Sequence, residues 1–106
     1  MKLPITGGCQ CGHIRFEIRA APMTVYTCHC TECQKQSSSS FGLSVIVPRE
    51  AFVITQGTPK VWVRQHESGR LIDSLFCPAC GTRICHNPHA NQKITITRTG
   101  TFDDVG

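Results

Sequence analysis

The chain has 106 residues, 40% of them hydrophobic and 17% charged, and eleven Lys and Arg against seven Asp and Glu give it a formal net charge of +4. That length suits one domain over residues 1–106 and leaves little room for a second. The basic residues are dispersed from Lys2 to Arg98 without a block or an aromatic-interleaved stripe, and no apolar run is long enough for a membrane helix, so neither a nucleic-acid surface nor a membrane role is expected.

Met1-Lys2-Leu3-Pro4-Ile5-Thr6-Gly7-Gly8 contains no apolar targeting segment, which makes a reducing cytoplasm the expected compartment. After Cys9 and Cys11, Ile14, Phe16 and Ile18 alternate with His13, Arg15 and Glu17, the period-two pattern of a half-buried strand. Cys28, Cys30 and Cys33 come next, and about two turns of helix are expected after Cys33, the only helix the pattern allows. Leu43, Val45 and Val47 repeat the strand alternation, and strands are expected over 51–55 and 60–65, separated by Gln56-Gly57-Thr58-Pro59. Glu67-Ser68-Gly69-Arg70 reads as a hairpin turn into a strand over 71–76 that ends at Cys77. Asn87 to Gln92 reads as a turn-rich loop, and Ile94 and Ile96 alternate with Thr95 and Thr97 in a last strand. The fold class is mainly β, an antiparallel sheet system with metal at its corners.

Seven of the eight cysteines fall into three clusters: Cys9 and Cys11, then Cys28, Cys30 and Cys33, then Cys77 and Cys80. Thiolates one to three residues apart can converge on one cation, whereas cysteines that close rarely reach disulfide geometry without strain. Gly81 follows Cys80 where a metal knuckle needs a left-handed residue, and Pro78 fixes φ inside the turn. Zinc is the preferred ion, with a disulfide framework or an iron–sulfur cluster as competing readings. Cys9, Cys11, Cys77 and Cys80 make a complete four-thiolate site with no position left for substrate. Cys28, Cys30 and Cys33 are one ligand short of a closed site, which leaves an open position suited to catalysis unless Cys85 or a histidine such as His86 fills it. Two zinc ions per chain are therefore expected.

Gly8-Cys9-Gln10-Cys11-Gly12, Cys28-His29-Cys30-Thr31-Glu32-Cys33-Gln34-Lys35 and Phe76-Cys77-Pro78-Ala79-Cys80-Gly81-Thr82-Arg83 resemble, in order and spacing, the three signatures of the glutathione-dependent formaldehyde-activating enzyme family, which includes centromere protein V relatives. The resemblance implies a β-tent of layered antiparallel sheets. It also implies a structural zinc on Cys9, Cys11, Cys77 and Cys80 and a second zinc on Cys28, Cys30 and Cys33. The reaction it implies is carbon–sulfur lyase chemistry that joins glutathione to formaldehyde as S-hydroxymethylglutathione. A non-catalytic zinc scaffold of the same fold is the alternative. Two departures stand out. Gln36-Ser37-Ser38-Ser39-Ser40-Phe41-Gly42 has serine where relatives often have glycine, and the chain stops at Gly106 where relatives usually continue. The second departure would leave the three-thiolate site more open, or have it completed by another copy in a homodimer.

Among other candidates, His29 lies between two ligands and is placed to shuttle a proton, although solvent exposure is its simpler role. His13, His66, His86 and His89 are read as ordinary surface or strand histidines, His86 being close enough to Cys85 for a stray ligand. Lys35 and the serine run offer charge and hydroxyls to a substrate carboxylate, with a solvated loop as the plainer reading. Trp62 is assigned to core or edge packing, and Cys85 to a small buried hydrophobe.

Overall fold

The computed structural model describes residues 2–104. Its strands are β1 (Ile5–Gly8), β2 (Arg15–Ile18), β3 (Thr24–Cys28), β4 (Gly42–Pro48), β5 (Phe52–Gln56), β6 (Lys60–Gln65), β7 (Leu71–Phe76), β8 (Arg83–Pro88) and β9 (Ile94–Arg98), with one α-helix, α1 (Thr31–Ser37). They form two antiparallel sheets, one in the order β1-β2-β5 and one in the order β3-β4-β9-β8-β7-β6. This is the mainly β, layered antiparallel architecture expected, with its single helix.

The core lies between the sheets. The alternation read at Ile14, Phe16 and Ile18 buries all three completely or nearly so, and the larger sheet meets them with Val45, Val47, Ile84 and Cys85. Phe16 is central: its ring centroid is 5.0 Å from Phe52 and 6.3 Å from Phe102. Because side chains alternate across a strand, the other face of the larger sheet carries a different set. Trp62 pairs with Ser74, Ser74 with His86, His86 with Ile96 and Ile96 with Ile46, one row crossing five strands. This second face supports the functional site.

Several elements differ from the sequence reading. The helix begins at Thr31, before Cys33 and not after it, because the Cys30 sulfur caps its first turn by accepting the Cys33 N–H at 3.3 Å. Residues 87 and 88 belong to β8, not to a loop, since β8 pairs with β7 as far as Pro88 opposite Ile72. Ala51 sits in a short 3-10 turn, so the strand after it starts at Phe52. β1, β3 and β8 had no alternation strong enough to announce them. Trp62 stands on the edge strand β6, half exposed, with the Arg83 guanidinium 5.7 Å from its ring.

The smaller sheet is tied to the last described residues by Asp103. Its carboxylate accepts hydrogen bonds from Thr6 Oγ1 at 2.7 Å and from both terminal nitrogens of Arg15. The Arg15 hydrogen bonds first, then that of Thr6, hold the Asp103 pKa below the ordinary carboxylate value. A depressed folded-state pKa stabilises the fold above the unfolded pKa of about 4, and that stabilisation is lost as pH falls through the lower folded value. Both partners are substantially exposed, so the effect is a fraction of a kcal/mol. Asp103→Asn is expected to lower the thermal midpoint slightly at pH 7 and by progressively less as pH falls below about 4, as read by calorimetry across that range.

Ser38 ends α1 in the left-handed region, with φ 53° and ψ 36°, and its N–H reaches the carbonyls of Gln34 and Lys35. It keeps the helix end at the cost of a crowded Cβ. Ser38→Gly is expected to stabilise the protein by roughly 0.5–1 kcal/mol, raising the melting temperature by about 4 °C. A decrease would show that the serine hydroxyl matters more than the backbone strain.

Candidate metal centres and the adjoining cavity

Cys9 and Cys11 lie in the turn between β1 and β2, and Cys77 and Cys80 in the turn between β7 and β8. The two turns come from different sheets, and they meet so that all four sulfurs lie within 4.8 Å of one another. Gly81, at φ 81°, supplies the left-handed residue that the Cys77–Cys80 turn needs. The Sγ separations are 3.6 Å for Cys9–Cys11 and 3.7 Å for Cys11–Cys77. These are far longer than a disulfide bond of about 2 Å and close to the edge of a zinc–thiolate tetrahedron, about 3.8 Å for bonds of about 2.3 Å.

Local donors favour ionised sulfur. Cys9 Sγ accepts the Ile14 N–H at 3.2 Å and Cys77 Sγ the Ala79 N–H at 3.4 Å. Thr82 Oγ1 lies 3.2 Å from Cys80 Sγ, and its hydrogen bond, with that of the Thr82 backbone, pulls the Cys80 thiol down to about 5. Cys11 goes the other way: an N–H bond from His13 lowers it, but Cys9, burial and the remaining sulfurs outweigh that and push it up to about 12. Four sulfurs this close cannot all ionise without a cation, and a divalent ion removes the conflict. The donor set therefore fits zinc.

The second cluster is built by the start of α1. Cys28 ends β3, Cys30 caps the helix and Cys33 lies in its first turn, so strand end and helix turn aim three sulfurs at one point, again within 4.8 Å of one another. Cys28 and Cys30 have their sulfurs 3.5 Å apart. The Cys33 N–H lowers the Cys30 pKa, while burial and the two neighbouring thiols push Cys33 up to about 12 against a hydrogen bond from Arg98. This set too could hold a metal ion, and among the described residues it has three members. Cys85 is not a fourth: it is fully buried on the core side of β8, and burial pushes its thiol up to about 12.

A cavity of roughly 350 Å³ opens against the three thiols, its other wall being the second face of the larger sheet. Ile46, Ile72 and Ile96 give it an apolar floor, and Arg64, Arg98 and His86 place polar groups among them. At one edge His66 Nε2 lies 3.4 Å from Glu32 Oε2, joining the β6–β7 hairpin to α1. Arg98 spans the site. It donates to Ser44 Oγ at 2.9 Å and also acts on Cys33, and a Cβ on Gly42 would collide with its guanidinium.

His86 is 2% exposed, with Nδ1 3.1 Å from Ser74 Oγ and Nε2 buried without a partner. Burial, reinforced by Arg98, Arg64 and Arg83, pushes its pKa down to about 3, so the ring is neutral at ordinary pH. It lines the cavity, yet it does not join the group of converging ligand atoms. His29 is exposed, its ring 5.6 Å from that of Phe41, and it is not part of the cavity lining. Lys35 and Ser38 to Ser40 border a separate shallow hollow on the helix with no cysteine in it. The arginines were not singled out from sequence. Arg98 shares strand parity with Ile94 and Ile96, and that was the available signal, but only the sheet order brings it to the same cavity as Arg64 and His86.

The family model for the glutathione-dependent formaldehyde-activating enzyme matches residues 4–106, so the chain belongs to that family. A Penicillium rubens protein named "Putative glutathione-dependent formaldehyde-activating enzyme" is 30% identical over 78 residues, which cover 72% of this chain and 40% of the relative. The chain thus matches less than half the length of that protein. The crystal structure of a Rhodobacter sphaeroides protein superposes with a TM-score of 0.73 over 95% of this chain and 90% of that one, at 16% identity, which shows a shared fold. No helix among the described residues is long and apolar enough to cross a membrane.

The two clusters should differ in what they support. Replacing Cys28, Cys30 and Cys33 with serine is expected to reduce bound zinc from two ions to one while the β-type circular dichroism persists. Cys77→Ser is expected to abolish cooperative folding, because a structural zinc contributes on the order of 10 kcal/mol. One zinc in both the native protein and the triple variant would show that the middle cluster does not bind.

Proposed function

We propose that this protein is a zinc-dependent enzyme of the carbon–sulfur lyase type, joining glutathione or a similar thiol to formaldehyde or a small aldehyde and catalysing the reverse. The observation that carries this reading is the three-thiol cluster opening onto a cavity, with no fourth side chain among its converging ligand atoms in the described residues. Cys9, Cys11, Cys77 and Cys80 would hold a structural zinc. Cys28, Cys30 and Cys33 would hold a second one that supplies Lewis acidity, lowering the pKa of a thiol or water next to it.

The forward reaction forms one carbon–sulfur bond. The thiol sulfur adds to the carbonyl carbon, the carbonyl π electrons move to oxygen, and the proton lost by the thiol ends on that oxygen as a hydroxyl. The chain contributes position and surroundings. Strand β3 and helix α1 fix the three sulfurs, which act as ligands and not as nucleophiles. Arg98 lies against Cys33 with a cationic guanidinium that favours negative charge where it develops. The isoleucine floor keeps competing water sparse. The neutral ring of His86 is available to accept or donate at Nε2 without first losing a charge. His29, exposed beside Phe41, is left for exchange of protons with solvent. A reducing compartment such as the cytoplasm suits a site made of thiolates.

The scaffold reading needs the second site closed. Neither Cys85 nor His86 closes it, which supports the enzymatic reading. The test is whether the doubly zinc-loaded protein accelerates formation or breakdown of the glutathione–formaldehyde adduct beyond its spontaneous rate. Acceleration lost in the Cys28→Ser, Cys30→Ser, Cys33→Ser variant is expected. No acceleration with both metals bound would refute the assignment.

A further inference from the structure

One cross-strand row runs the full width of the larger sheet on its core side: Val25, Val45, Thr97, Cys85, Leu75 and Val61. Burial changes along it. Val45, Thr97 and Cys85 are almost completely buried, whereas Val25 at one end is 56% exposed and Val61 at the other 54%. The three-stranded sheet thus covers the middle of the row and leaves both edge strands, β3 and β6, overhanging. By strand parity Met23, Val25 and Leu43 share the overhanging face at β3. All three are exposed, and α1, which follows β3, packs against β4.

An edge strand presents every second N–H and C=O outward, ready to pair with another strand. The two edges are guarded differently. β6 carries Lys60 and Arg64, and cations on an edge keep it from pairing with itself. β3 has no such guard: from Ala20 to Thr31 the chain contains no Asp, Glu, Lys or Arg, although 17% of the whole chain is charged. In a two-fold antiparallel pair a strand meets its own sequence, so a charged edge repels itself and an uncharged one does not. Each face must also stay on its own side of the joined sheet, which sets residues of equal parity opposite one another. A two-fold axis through Val25 satisfies this. Val25 then meets itself, Thr24 meets Tyr26 and Met23 meets Thr27, combinations of β-branched, aromatic and apolar side chains suited to a sheet.

We propose that β3 is a dimerisation edge, joining two copies of this chain by antiparallel pairing of residues 23–27 about a two-fold axis at Val25. The larger sheets of the two copies then become one continuous sheet. The consequence for the site is direct. Tyr26 lines the thiol cavity, and Thr24 pairs with Ile46 in the cavity floor. Tyr26 of the partner subunit, opposite Thr24, extends that floor row at its open end. The paired stretch stops short of Cys28, so the second copy adds no ligand to the three thiols. The pairing is a property of the edge itself and stands whether or not the enzymatic reading does.

Sedimentation equilibrium of the zinc-loaded protein over a concentration series tests the pairing. The expected mass is twice the 11.7 kDa of one chain. Val25→Lys and Val25→Glu should each sediment as monomers, because each sets like charges opposite one another, and an equimolar mixture of the two should recover the dimer. Unchanged zinc content and circular dichroism in both variants show that they are folded. Val61→Lys, on the other edge, should leave the dimer intact. A monomeric native protein would overturn the proposal and leave the edge to a partner of different sequence. A dimer that survives both Val25 variants, or variants that stay monomeric when mixed, would overturn the two-fold at Val25. Loss of the dimer in Val61→Lys would put the interface on β6, and an open series of larger species would replace the two-fold by β3 pairing with β6; either result overturns the assignment.

Discussion

Four thiol sulfurs held within 4.8 Å of one another, on turns from two different sheets, impose the constraint on which the rest of the structure depends. Sulfur atoms at that spacing compete for protons and repel once ionised, so the arrangement is favourable only around a cation. With a zinc ion there, the β1–β2 turn is fixed to the β7–β8 turn and the two sheets are clamped at one end. The apolar layer between them, centred on Phe16, is small for a chain of 106 residues. A domain of this size gains proportionately more from a metal clamp than a larger one would.

The clamp frees the second face of the larger sheet from structural duty. The alternation that sends Val45 and Cys85 into the core sends Ile46 and His86 the other way, and α1 covers part of that outer face with the second cysteine group. The two clusters are then separate in kind. The first joins elements far apart in sequence and has four thiols, while the second is local, built from a strand end and one helical turn, and has three among the described residues. An incomplete metal site beside a cavity is the usual form of a catalytic centre.

Much of this was legible in the residues. The clusters and their division into four and three followed from spacing, because ligand geometry is local and thiols have few other reasons to be paired so closely. The strand at Ile14 to Ile18 followed from alternation, and the one at Leu71 to Phe76 from the hairpin turn that precedes it. Other parts left no such trace. β3 is exposed along most of its length and β8 is buried on both faces, so neither shows a period of two. The helix start was hidden because cysteine, not serine or aspartate, provides the cap at position 30. The cationic array was invisible for a different reason: Arg64, Arg83 and Arg98 lie on three strands whose neighbourhood depends on sheet order. Apart from the parity that Arg98 shares with Ile94 and Ile96, nothing in their local sequence distinguishes them from solvated charges.

The account turns on the coordination of the second metal, and anomalous scattering at the zinc edge from crystals of the loaded protein measures it directly. The expected result is two ions, one bound by Cys9, Cys11, Cys77 and Cys80, the other by Cys28, Cys30 and Cys33 with a non-protein ligand facing the cavity. A single ion, or a second ion closed by a fourth side chain from this chain or a neighbouring copy, would contradict it.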